Sequence, residues 1–236
     1  MIPYWLHILA LISVLGGFVC AAVVALDICA HPQKMRIMNV VWPITGLFAG
    51  PIGLLFYFLA GRRATQERGE TPHQAELPFF VKVGKGASHC GAGCTLGDIL
   101  AEWFAVLFPG IVALMGYGTL FSERIFAIWV LDYILAFAIG VVFQYFTIVP
   151  MRGLSLLPGL WAAVKADALS LTAWQVGMYG FMAIAHFWIF GRILGVALDP
   201  LSFEFWFMMQ IAMLCGFATA YPVNWWLIRA GLKEAM

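Results

Sequence analysis

Six stretches of this chain, at about residues 4–26, 38–60, 99–118, 125–149, 171–194 and 203–228, stay apolar for the length needed to cross a lipid bilayer. A helix rises about 1.5 Å per residue, so about 20 apolar residues cover the roughly 30 Å of hydrocarbon. Lipid offers no partner to backbone N–H and C=O groups. Each span therefore satisfies its own as a helix, and the alternating pattern of a barrel strand is absent. The predicted fold class is all-α, a polytopic membrane helix bundle of about six transmembrane helices. Composition points the same way, since 63% hydrophobic and 11% charged residues leave too little polar surface to cover a globule in water. A net charge of +1 gives no electrostatic basis for a nucleic-acid partner. The lipid bilayer is the partner this sequence predicts.

Three regions follow: two spans within 1–60, a polar loop over 61–94, and a four-span region over 95–236. The stretch from Ile2 to Leu26 has neither a basic start nor a small-residue cleavage site, so it reads as a span and not as a cleaved signal. Pro43 and Gly50-Pro51 predict a kink in the second span, Pro109 in the third and Pro222 in the sixth. Segment 153–170 carries Trp161, Lys165 and Asp167 among apolar residues and reads as an interfacial helix leading into the fifth span. With six crossings, Arg62, Arg63, Arg68, Lys82, Lys85, Arg152, Lys165, Arg229 and Lys233 fall on one side, and Lys34, Arg36, Arg124 and Arg192 on the other. That asymmetry predicts cytoplasmic N- and C-termini and a cytoplasmic loop 61–94.

The loop ends in the chain's most concentrated chemical signal, His89-Cys-Gly-Ala-Gly-Cys94. Glycines let both sulfurs turn inward, and thiolate with imidazole favours copper(I), zinc or an iron–sulfur cluster over hard ions. His89, Cys90, Cys94 and Asp98 are the predicted metal ligands, for a copper or zinc ion. Other readings stay open. Asp98 closes a capping-box pattern begun at Thr95, the glycine backbone suits an anion, and Cys90 with Cys94 suits thiol redox chemistry in a reducing compartment.

Polar residues inside the spans suggest a path. Glu102 lies one helical turn beyond Asp98; Gln175, Met178, Met182 and His186 share a helix face, and Gln210, Met213, Phe217, Tyr221 and Asn224 share another. Methionine also fills packing gaps, and amides also bond across helices. Asp132, near Tyr133 and Arg124, reads as an interface residue. The sequence has no nucleotide fingerprint, no bis-histidine haem pair and no catalytic motif, so neither of those cofactors nor an enzymatic reaction is predicted.

The strings Phe143-Gln-Tyr-Phe-Thr-Ile-Val-Pro-Met-Arg-Gly-Leu-Ser155, Lys165-Ala-Asp-Ala-Leu-Ser-Leu-Thr-Ala-Trp-Gln-Val-Gly-Met-Tyr-Gly180, Met208-Met-Gln-Ile-Ala-Met213 and Ala220-Tyr-Pro-Val-Asn224, with the His-Cys-Gly-Ala-Gly-Cys segment, resemble a bacterial membrane family catalogued as domain of unknown function 4396. The likeness covers roughly residues 80–236 and brings no reaction with it. It implies a bacterial inner membrane and, through relatives sited near copper-handling proteins, a link to copper. The combined expectation is transport or delivery of a soft transition metal, copper before zinc, with a metallochaperone or a membrane complex as partner. The alternatives are a membrane thiol oxidoreductase using Cys90 and Cys94, and a non-catalytic assembly or partner subunit of a membrane complex.

Overall fold

The computed structural model describes residues 1–64 and 77–234. Its helices are α1 (Tyr4–Ala30), α2 (Met38–Phe56, continued by a π-helical turn Tyr57–Gly61), α3 (Phe79–Leu107), α4 (Pro109–Leu114), α5 (Arg124–Arg152), α6 (Leu156–Ala183, continued as a π-helix Ile184–Leu194) and α7 (Phe203–Arg229). Among the described residues six helices are long and apolar enough to cross a membrane, all but the short α4. The protein is an all-α membrane helix bundle, as the apolar runs predict.

One of the six reaches that length by folding back on itself. Gly50 has φ 53° and ψ −131°, a backbone conformation that glycine alone adopts without strain. Pro51 follows at the first position of a new helix, where its missing N–H costs nothing. The result is a reversal, not the predicted kink. The arms 38–49 and 51–61 lie side by side, with the Trp42 ring 5.4 Å from Phe56 and 5.6 Å from Tyr57. The first arm runs antiparallel to α1, with Gly46 against Cys20 and Ala21. The second returns to the end from which it started, where the Tyr57 hydroxyl donates to Asp27 at 2.6 Å and Arg62 Nε to the same carboxylate at 2.8 Å. Gly50 therefore sits about halfway through the bundle. Irregular backbone at that depth needs shelter from lipid, and Gln210 supplies it by donating Nε2 to the Leu47 carbonyl at 2.9 Å.

The reversal returns α2 to the end of the bundle at which α1 finishes. His7 Nδ1 lies 2.7 Å from Glu204, and Ser13 donates to Gln210 at 2.7 Å, so α1 runs parallel to α7. The N-terminus and the starts of α5 and α7 share one end of the bundle, the N-face; both ends of α2, the start of α3 and the ends of α5 and α7 share the other, the C-face. The two termini therefore lie at opposite ends of the bundle. Lys34 and Arg36 move with the reversal, and every described Lys and Arg except Arg124 and Arg192 now lies at or toward the C-face. A single-cysteine reporter added at each end of the protein, in a variant lacking the native cysteines, is expected to react with an impermeant maleimide from opposite sides of intact vesicles. Same-side labelling would contradict the hairpin.

The glycine-rich motif is not a loop. Within the stretch predicted as loop 61–94, helix α3 begins at Phe79 and runs unbroken through His89–Cys94. In water a Gly-Ala-Gly run frays a helix; in a bilayer small residues let helix backbones approach. Gly93 sits against Gly140 and Gly97 against Ala136 of α5, while Gly91 sits under the Trp174 ring of α6. The third span is thus 79–107 and not 99–118, and Pro109 starts α4 instead of kinking it. Segment 153–170 also resolves differently. Leu156, Leu157 and Trp161 are exposed as an interfacial segment requires, but from Ala163 the same helix enters the core and buries Asp167 and Ser170.

Candidate functional site

Residues 90, 94, 98 and 102 recur every four positions, so on α3 they form one stripe, and the first three lie on the buried face toward α5 and α6. Cys90 and Cys94 are 1% and 0% exposed, and their thiols are neighbours one helical turn apart. The Cys90 thiol also faces Asp167 of α6, neither of whose carboxylate oxygens has a hydrogen-bond partner. Asp98 meets Asp132 of α5, carboxyl to carboxyl. Asp132 in turn accepts from the Tyr179 hydroxyl at 2.7 Å and from Gln175 Nε2 at 3.3 Å. Glu102 lies near Asp132 and Arg124 at the N-face end. Along α3 alone the stripe from Cys90 to Glu102 rises about 18 Å.

Small residues make this column. Asp167 fits against α5 only because Gly140 has no side chain, since a Cβ there would occupy the carboxylate. The bare backbones of Gly93 and Gly97 draw α5 close enough for Asp132 to reach Asp98. Charge compensation is sparse. One oxygen each of Asp98, Glu102 and Asp132, and both of Asp167, are buried without a partner. Buried polar atoms are nearly always paired, and two carboxyl groups in contact need a proton or a cation between them.

A cavity of about 280 Å³ opens onto the column at Asp98. Leu201, Ser202 and Phe203 mark its N-face end, Leu47 and Phe48 of the hairpin its floor, and Thr95, Gln210 and Met213 its inner wall. The cavity exists because α2 turns back at Gly50 and leaves the N-face half between α1 and α3 unfilled.

The predicted ligand set divides. Cys90, Cys94 and Asp98 lie on the column. His89 points to α5, where Nε2 lies 3.1 Å from the Thr147 hydroxyl and the ring packs edge-on against Phe143 at 5.8 Å. Among the described residues no three or more His, Cys, Asp or Glu side chains are grouped to hold one metal ion. The expected path residues divide as well. Gln175 is a partner of Asp132, and Gln210 and Met213 line the cavity. Met178 and Met182 are packed in the hydrophobic core. Met213 accepts from Trp174 Nε1 at 3.3 Å, and Asn224 bonds to Ser170. His186 lies in a separate crevice with Glu123 near the N-face.

Asp132 and Asp167, expected at the interface, are instead buried members of the column. An ionisable residue inside an apolar run was signal enough for Asp132. Asp167 was masked by Trp161 and Lys165, which resemble a membrane boundary.

Comparison with curated proteins finds no match, and neither does comparison with solved structures. One family matches, over residues 80–233, which is α3 to the segment after α7 and contains the whole column. The chain belongs to that family, described as domain of unknown function DUF4396.

Proposed function

We propose that this protein passes a soft transition-metal cation, copper(I) before zinc, across the membrane along the α3 column. The observation that carries the reading is the alignment of Cys90, Cys94 and Asp98 on one buried stripe that meets a cavity at Asp98. Thiols at successive turns offer a two-coordinate ion a station, whereas a tetrahedral zinc site needs about four donors that are not gathered here. Donors spread along a helix suit passage over storage, because conduction requires sites that release as well as bind. His89 is not a ligand in this reading. Asp132 and Asp167 supply the negative charge that a cation requires in a dry interior.

The excess of Lys and Arg at the C-face supports a cytoplasmic C-face, with the N-terminus on the far side of a bacterial inner membrane. A metal carrier would then meet the protein at that face. The burial of both thiols favours passage over thiol oxidoreduction, since a protein exchange partner cannot reach them.

The test is uptake of copper(I) into proteoliposomes under anaerobic conditions. A Cys90→Ser/Cys94→Ser variant is expected to lose at least about tenfold in initial rate, about 1.4 kcal/mol of barrier. Uptake equal to that of the unaltered protein, or no uptake above empty liposomes by either, sinks the proposal.

A further inference from the structure

Helix α7 ends at Arg229, and Gly231, with φ 69°, turns the chain back. The amides of Leu232 and Lys233 both reach the Leu227 carbonyl, at 3.0 and 3.2 Å. This cap aims the Lys233 side chain into the bundle from the C-face. Arg152 of α5 holds the next residue, Glu234, at 2.5 Å. Lys233 is only 3% exposed, unusual burial for an ammonium group.

Both hydrogen-bond partners of that ammonium are oxygens, and the buried His89 ring is near enough to feel its charge. Its Nζ donates to Asn224 Oδ1 at 2.7 Å and to Ser170 Oγ at 3.1 Å. Asp167, one turn before Ser170 on α6, feels the positive charge, yet neither of its oxygens receives a hydrogen bond. A lysine retained only to neutralise Asp167 would be expected to touch it. Here the amide and the hydroxyl hold the cation, while the carboxylate supplies field from a short distance. That is the layout of a small cation site: neutral oxygens for coordination and one nearby negative charge.

We infer that Asn224, Ser170 and Asp167 form a site for a monovalent cation of ammonium size, and that Lys233 is its tethered occupant. Hard oxygen donors set this site apart from the thiols of Cys90 and Cys94, which select soft ions. Displacing the segment after α7 empties the site toward the C-face. The inference does not depend on metal passage, and its test measures no transport.

The full-length Lys233→Met variant keeps most of the apolar stem and removes the ammonium. Purified in detergent with choline as the only added monovalent cation, it is expected to unfold at a lower temperature than the unaltered protein. Ammonium chloride should raise its Tm with the logarithm of concentration above Kd, by about 5 °C near a hundredfold excess. The unaltered protein, with its site filled, should not respond. Adding Asp167→Asn to the variant should abolish the response. An equal response in both proteins, or none in the variant, overturns the inference. Should the variant be recovered folded only when ammonium is present throughout purification, that requirement supports the site; equal losses with and without ammonium count against it.

Discussion

Replacing Asp98 with asparagine is expected to reduce copper(I) uptake about 100-fold, equivalent to about 2.7 kcal/mol in the transfer barrier. Asp98 is the one column residue that also lines the cavity, so a cation crossing between the two must pass it. Asparagine has the same shape and can donate to Asp132, so the fold has little reason to change. What disappears is a charge in a low-dielectric interior, where electrostatic interactions are several times stronger than in water. The measurement is initial uptake per reconstituted protein, with unfolding temperature as the control for integrity. Uptake within twofold of the unaltered protein would remove Asp98, and with it the junction, from the pathway.

A larger structural effect is expected from Gly97→Ala. A Cβ at this position would lie 2.7 Å from the Cα, Cβ and N atoms of Ala136, and backbone cannot swing aside as a flexible side chain can. Helices α3 and α5 have to separate, at a cost of about 3 kcal/mol, the upper part of the range for overpacked sites. Separation also parts Asp98 from Asp132, so stability and transport should fall together. Gly16→Ala, where an added Cβ meets nothing within 4 Å, is the matched control, and it should leave stability unchanged or raise it slightly. If the two variants unfold at the same temperature, close helix contact at Gly97 is not what holds the column.

How much of this was readable beforehand depends on what each helix touches. Spans facing lipid announce themselves: the window that marks α1 is only 28% buried, and its apolar run has no interruption. The corresponding window in α3 is 61% buried, so the neighbours of this helix are other helices, which tolerate Lys85, Ser88, His89 and five glycines along it. Low hydropathy does not by itself mark the central helix, since the window in α6 is as weakly apolar and only 22% buried. The reversal at Gly50-Pro51 was visible as a break but not as a turn. Its direction is set by Asp27 meeting Tyr57 and Arg62, a contact that no local pattern encodes. Cys90, Cys94 and Asp98 were legible as chemistry because their residue types are rare in hydrocarbon. That His89 would face the other way follows from its offset of about 100° from Cys90 once the segment is helical.

The half-depth hairpin bears on how the chain enters the membrane. When residues 38–61 leave the ribosome, they present an uninterrupted apolar stretch that insertion machinery sorts by hydropathy as a full crossing. The clamp on the hairpin tip, Gln210, is synthesised about 150 residues later, together with the rest of α7. Until then the Leu47 carbonyl lacks that partner in lipid. The hairpin tip is therefore completed only when α7 is in place, and the last helix of the chain serves to close the second.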